Sequence, residues 1–288
     1  MIIVTGATGQ LGSLVVDQLL ARVPAQQIGV SVRDPAKARD LQDRGVRVRR
    51  GDFADADSLA SAFEGASTVL LVSAASTGDE AVSQHRSAIR TAVQAGAERV
   101  VYTSHMGAGP TSAFPPMPDH AETEKALSAC GVAFTALRNG FYASFAAQLL
   151  ARSGAAQTGE LRLPEDGPVS WTTHADLAEA AAIALTAGGL DGITAPLVAT
   201  EAVDMAGVAA IASEVTGRPV TRVVVPDDEY RADLLQRVPE PAADMLMGLF
   251  LAARRGDFAA TDPALGALLG RPPVGLRTTL EPVLLSAA

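Results

Sequence analysis

The chain has 288 residues, 48% of them hydrophobic and 4% aromatic, with a formal net charge of −9 and a single cysteine, Cys130. That length and hydrophobic content bury a substantial core and exclude a disordered chain. The acidic balance argues against nucleic acid or an anionic membrane as a partner over a broad face, no apolar run is long enough to span a bilayer, and no intramolecular disulfide can form.

The first element is the apolar strand Ile2-Ile3-Val4, followed by Thr5-Gly6-Ala7-Thr8-Gly9-Gln10-Leu11-Gly12 and an amphipathic run to Arg22. Strand, glycine turn and helix start, in that order, point to a dinucleotide site. Gly6 takes the tight turn, Gly9 lets backbone N–H groups approach a pyrophosphate, and Gly12 lets the helix pack closely on the strand. With no basic and apolar leader ahead of that strand, a cytoplasmic protein is expected.

To about Arg138, apolar β-type runs alternate with helical patterns, which predicts an α/β fold with a doubly wound parallel sheet. Strands are expected near 2–5, 28–32, 46–50, 68–73, 98–103 and 133–138, with helices near 10–22, 36–43, 56–64, 80–95 and 120–129. The second strand ends in Arg33, where NAD enzymes carry an acid for the ribose 2′-OH. A cation there favours a 2′-phosphate, and Lys37 adds a second positive group, although both residues also suit an ordinary solvated face. Asp34, just before Pro35, suits helix capping. After the third strand, Asp52 is positioned to accept from an adenine amino group and Phe53 to flank the ring, while Asp55 starts the next helix. Small residues Ser73 and Ala74 end the fourth strand and permit close backbone approach to a ribose or nicotinamide.

Ser104 opens a Gly- and Pro-rich loop running to Pro118 at the end of the fifth strand, where ligands bind in parallel sheets, and is assigned to the cofactor. His105 and His120 lie in or beside that loop, as proton donors or as packing residues. Asp119 as N-cap, with Glu122 three residues on, predicts a helix that puts Lys125 in its second turn on the face of Ala121 and Glu122. A cation after the fifth-strand loop can hold the nicotinamide ribose and favour negative charge on a reduced substrate. Asn139, at the end of the sixth strand, is placed on substrate or cofactor, and Phe141 and Tyr142 either wall the nicotinamide pocket or join the core. The catalytic set expected is Lys125, His105 and Tyr142.

The domain division expected is a nucleotide-binding domain over 1–150 and a smaller, mostly helical lobe over 151–288 that covers the sheet edge and the substrate. A strand near 194–199 can return to the main sheet. Thr173 and Asp176 suit capping of a helix to about Ala187, with further helices near 203–216, 228–237 and 242–255 and a strand near 220–225. There is no Cys/His cluster, metal-spaced carboxylate pair or nucleophile elbow, so no metal is expected.

With these residues in view, the chain resembles the NmrA-like atypical short-chain dehydrogenase/reductases, most of all the bacterial NADPH-dependent quinone reductases and triphenylmethane-dye reductases. The stretches that carry the resemblance are Val4 to Gly12, Val32-Arg33-Asp34-Pro35-Ala36-Lys37-Ala38, Gln84-His85-Arg86, Tyr102-Thr103-Ser104, His120 to Lys125 and Leu137 to Tyr142. It implies a Rossmann-type fold and NADPH bound through Gly6, Thr8, Gly9, Gln10, Leu11, Gly12, Arg33 and Lys125. The Tyr-x-x-x-Lys pair of ordinary short-chain dehydrogenases is incomplete, because Ala121 stands four residues before Lys125. An unactivated ketone needs that tyrosine to protonate the forming alkoxide, whereas a quinone spreads the charge over an aromatic oxyanion. The expected function is therefore an NADPH-dependent, flavin-free reductase of a small quinone-like molecule. The alternative is a non-catalytic NADP(H) sensor of the NmrA-like type. A homodimer fits either reading.

Overall fold

The computed structural model describes residues 1–287. Its first unit comprises Met1–Pro110, Pro118–Asn139 and His174–Leu197. Here β1 (Ile2–Thr5), β2 (Ile28–Val32), β3 (Arg47–Arg50), β4 (Thr68–Leu71), β5 (Arg99–His105) and β6 (Ala133–Asn139) alternate with α1 (Gln10–Leu20), α2 (Arg39–Asp43), α3 (Ala56–Phe63), α4 (Asp79–Gln94) and α5 (Pro116–Ser128). With β10 (Gly192–Ile193), these strands form one parallel sheet in the order β10-β6-β5-β4-β1-β2-β3, as the alternation predicts. The order reverses between β1 and β4, the switch point at which doubly wound sheets open a ligand crevice.

Apolar strand faces make the core. Ile3, Val69, Leu71, Val100 and Tyr102 pack with Leu59 and Phe63 of α3 and with Ala88, Ile89 and Ala92 of α4. The buried stripe of α4 also includes Ala81 and His85. Small side chains bring this helix close to the sheet, and one imidazole is carried in with them.

The local capping chemistry of Asp34 and Asp55 is as expected. The Asp34 carboxylate accepts from Ala36 N (3.0 Å) and that of Asp55 from Ser58 N (3.1 Å). Helix α5 differs. It begins at Pro116, three residues ahead of the predicted cap, because prolines are tolerated in a first turn whose N–H groups have no helical partner. Asp119 is thus inside the helix, and its carboxylate accepts instead from Gly78 N at 2.7 Å.

The second unit comprises Thr111–Met117, Gly140–Thr173 and Val198–Ala288. The change of unit thus falls at Gly140, and the chain re-enters the first unit for α8 (His174–Thr186) and β10 (Gly192–Ile193), so neither unit is a single continuous half. Strand β10 pairs parallel with Thr135 and Ala136 of β6, and Leu197 makes an isolated bridge to Asn139. The return to the main sheet therefore starts earlier than 194 and is shorter, since Pro196 has no N–H for a ladder.

Within the second unit, β7 (Phe141–Tyr142) pairs with β9 (Trp171–Thr172), and β8 (Glu160–Leu163) pairs with β11 (Thr221–Val224). Helices α6 (Ala143–Ser153), α7 (Ala155–Thr158), α9 (Met205–Thr216), α10 (Asp227–Leu235), α11 (Glu240–Arg254), α12 (Ala264–Leu269) and α13 (Leu276–Ala287) complete it. Among the described residues, no helix is long and apolar enough to cross a membrane.

Candidate functional site

A cavity of about 820 Å³ opens at the carboxyl ends of β1, β2 and β4. Thr5, Gly6, Thr8 and Gly9 line one side, Ser31 to Asp34 with Lys37 another, and Gly51, Asp52, Phe53, Val72 to Ser76, Glu80 and Gln84 the rest. That volume lies within the range of small-molecule and cofactor sites.

The glycine turn has the geometry its spacing predicts. Gly6 is at φ +61°, and Gly9 N–H closes the turn on Gly6 O at 2.9 Å. A Cβ at Gly12 would lie 2.2 Å from Gly6 O, so only glycine lets α1 approach this closely. Helix α1 starts at Gln10 without a side-chain cap. Its first N–H groups and the positive end of its dipole therefore face the turn, where an anion is favoured. On the floor, a Cβ at Gly51 would fall 2.1 Å from Ser31 Oγ, and that hydroxyl is buried without a hydrogen-bond partner among the described residues.

Arg33 and Lys37 are exposed at the cavity edge, and neither is in an ion pair with a described residue. Neighbouring Asp34 lines the same edge, where its carboxylate accepts from Ala36 N and forms no ion pair with either cation among the described residues. Asp52 Oδ1 accepts from Ala54 N (3.1 Å), and Phe53 packs on the core while its ring faces His85 edge-on at 6.3 Å.

The wall after β4 is held by side chains of β1, β5 and α4. Val72 N–H donates to Thr5 Oγ1 (2.9 Å), Ser73 N–H to Thr103 Oγ1 (2.9 Å) and Ala74 N–H to His85 Nε2 (2.8 Å), while Ser76 Oγ donates to Gln84 Oε1 (2.9 Å). Ser31, Gly51, Glu80 and Gln84 in the lining, and His85 behind it, carry no role assigned from the sequence. A histidine on the buried stripe of an otherwise Ala-rich helix is the signal that could have marked one of them.

Gly6, Thr8, Gly9, Arg33, Lys37, Asp52, Phe53, Ser73 and Ala74, nine of the expected cofactor residues, all line the cavity. Gln10, Leu11 and Gly12 stand behind the turn in α1 and do not line it. Two expected cofactor residues are not brought there. The Lys125 side chain is 65% exposed, and its Nζ donates to Glu122 Oε1 at 2.7 Å on the outer face of α5. One residue earlier, Glu124 points inward. It accepts from Ser104 Oγ (2.6 Å) and takes a bidentate ion pair from Arg138, at 3.0 and 2.7 Å, so Ser104 serves this buried triad and not the cavity. That pairing also raises the Arg138 pKa.

His105, at the end of β5, is buried enough for its pKa to fall to about 3, and its Nδ1 accepts from Gly107 N (3.1 Å). An imidazole so depressed is neutral at physiological pH and is not a ready imidazolium acid. Asn139 is 1% exposed at the end of β6, and among the described residues both polar atoms of its carboxamide lack hydrogen-bond partners. An orphaned amide at a strand's carboxyl end is the type of group that awaits a ligand. In the second unit, Phe141 packs among Phe114, Phe145, Trp171 and Phe258 with ring centroids 5.1–5.6 Å apart, which is the core role. Burial pushes the Tyr142 phenol up to about 12 and keeps it protonated.

Residues 1–280 match the model of the NmrA-like family. The chain is 36% identical to quinone oxidoreductase 2 of Escherichia coli (strain K12), over 98% of each. It is 30% identical to the NAD(P)H azoreductase of Xenophilus azovorans, over 94% of each. Among solved structures, the E. coli NADPH-dependent quinone oxidoreductase complexed with NADPH superposes with a TM-score of 0.91 at 34% identity, covering 98% of this chain and 99% of that one. The Citrobacter sp. triphenylmethane reductase complexed with NADP(H) gives 0.90 at 34%, covering 98% and 100%.

Proposed function

The chain belongs to the NmrA-like family, and from that premise we propose that it is an NADPH-dependent reductase that acts on quinones or similar conjugated electrophiles without a flavin. The observation that carries this reading is the cavity with a glycine turn and helix N-terminus at one side and the unpaired cations Arg33 and Lys37 at another. Relatives similar over nearly their whole length act as quinone, azo and triphenylmethane-dye reductases, which supports reduction over the sensor reading.

Arg33 and Lys37 hold a 2′-phosphate, the α1 N-terminus holds the pyrophosphate, and the Ser31 hydroxyl takes a partner from the adenosine half. The tethered wall Ser73–Ser76 faces the ribose and nicotinamide half. Asn139 supplies the amide that orients nicotinamide or substrate. Bound NADPH supplies the hydride. A quinone suits a site whose Tyr-x-x-x-Lys tyrosine is replaced by Ala121, since its reduced oxygen is a stabilised phenolate. An acidic chain with one thiol and a need for NADPH is assigned to the cytoplasm.

The test is the loss of NADPH absorbance with a panel of benzoquinones and naphthoquinones. Turnover several-fold faster with NADPH than with NADH is expected. Tight NADPH binding with no turnover on any quinone or dye overturns the reading and returns the sensor.

A further inference from the structure

Behind the Ser73–Ser76 wall, His85, Thr123, Tyr102 and His120 form a hydrogen-bonded network in which a backbone group fixes the His85 tautomer. Ala74 N–H donates to His85 Nε2 (2.8 Å), so that nitrogen carries no hydrogen and Nδ1 must carry one. That Nδ1–H donates to Thr123 Oγ1 (2.9 Å), whose hydroxyl donates onward to Asp119 O (2.8 Å). The Tyr102 hydroxyl lies 3.5 Å from the same His85 Nδ1 and 2.8 Å from His120 Nδ1. His85 Nδ1 already has its hydrogen, so of these two nitrogens only that of His120 can accept the phenolic proton. With the phenol as donor, His120 carries its hydrogen on Nε2.

Tyr102 is fully buried, while His120 is only half-buried, so Nε2–H is the polar edge His120 has left to offer. The ring also stacks on His105 at 6.1 Å and 27°. Strands β4 and β5 are parallel neighbours paired as far as Leu71 and Tyr102. The end of β5, where His105 sits, therefore adjoins Ser73 and Ala74 at the strand ends where ligands bind. Burial and the neighbouring His105 and His85 hold the His120 pKa well below its usual value.

We infer that His120 is a catalytic hydrogen-bond donor, presenting a neutral Nε2–H to the substrate oxygen that gains charge on reduction, with Tyr102 and His85 as the positioning residues that fix its tautomer. This rests on the reductase reading above. The quinone accepts two electrons and one hydrogen as hydride, NADPH is oxidised to NADP⁺, and the oxygen becomes phenolate-like. The His120 N–H stabilises that oxygen without giving up its own proton, and solvent supplies the proton that completes the hydroquinone. A neutral imidazole with a depressed pKa is suited to polarising a carbonyl in this way.

Two measurements test it. In ¹⁵N-labelled protein without cofactor, long-range ¹H–¹⁵N spectra are expected to show His85 as the Nδ1–H tautomer, titrating at about 4, and His120 as Nε2–H, titrating well below its ordinary value; Tyr102→Phe is expected to mix the His120 tautomers. A His120 Nδ1–H tautomer, or titration near its ordinary value, overturns the inference whether or not the protein proves to be a reductase. In kinetics, His120→Ala is expected to lower kcat for a benzoquinone by about 100-fold with NADPH affinity unchanged, with partial rescue by added imidazole, and Tyr102→Phe by about tenfold. Hydride addition to a cationic triphenylmethane dye gives a neutral product that needs no such donor, so dye reduction is expected to survive His120→Ala. A quinone kcat within twofold of the unsubstituted protein, or parallel loss with both acceptors, rules out the role. No quinone turnover by the unsubstituted protein rejects the reductase reading instead.

Discussion

Replacing Arg33 by Ala isolates the basis for NADPH over NADH. Arg33 and Lys37 border the cavity and neither is in an ion pair with a described residue, so a 2′-phosphate meets two cations that are not already held by a carboxylate. A hydrogen bond to a charged group contributes about 1.5–3 kcal/mol, or about 10–150-fold in affinity. Both side chains are exposed and screened by salt, which places the effect toward the lower end, at about 10–30-fold. Titration of NADPH fluorescence in low and physiological salt is the assay. Arg33→Ala is expected to weaken NADPH by that factor, to leave NADH within about twofold, and to flatten the salt dependence of NADPH binding. Equal weakening of both cofactors, or a salt dependence unchanged from the parent, refutes the assignment of these cations to the 2′-phosphate.

Gly12→Ala brings a Cβ to 2.2 Å from a backbone oxygen that cannot swing aside. It is expected to cost about 1–3 kcal/mol in denaturant unfolding and to weaken NADPH, and a fully stable variant contradicts the close approach. Lys125→Ala removes an exposed amine that, among the described residues, is paired only with Glu122, so NADPH affinity and quinone kcat are expected to stay within twofold of the parent. A tenfold loss in either returns Lys125 to the site. Stability is expected to fall on acidification. The folded-state pKa of His85 is depressed from 6.5 to about 4 by burial, so the unfolded chain takes up a proton first. The stabilisation is complete above about pH 6.5 and is lost as pH falls through about 4, amounting to about 3 kcal/mol for this group. Urea unfolding between pH 7 and 4 checks it, and a smaller slope in His85→Gln is expected.

What could be read from the sequence is what is settled within a few residues. The glycine turn, Arg33 at the end of β2 and the caps at Asp34 and Asp55 all depend on local chemistry, and the structure has them in the expected geometry. Asp119 has the right spacing for a cap, yet its partner is Gly78, 41 positions away, and α5 starts earlier on prolines. A one-residue step turns a helical side chain by about 100°. That step separates inward Glu124 from outward Lys125, and only packing decides which of two adjacent charged residues is buried. The pairing of β8 with β11 joins Glu160 to Thr221 across sixty residues, beyond the reach of any local pattern. The role of His85 depends on Ala74, Thr123 and Tyr102, so it becomes visible only once β4, α4, β5 and α5 are assembled.

The tethers on the cavity wall also set a time order for folding. Val72, Ser73 and Ala74 are held by side chains 67, 30 and 11 positions distant, so this wall cannot take shape from its own segment. Contacts that span so much chain form late, after the entropy of closing the intervening loops has been overcome. Refolding followed by NADPH fluorescence should therefore lag behind helix formation followed by circular dichroism. The nucleotide would then report the moment at which β1, β4 and β5 have found their places.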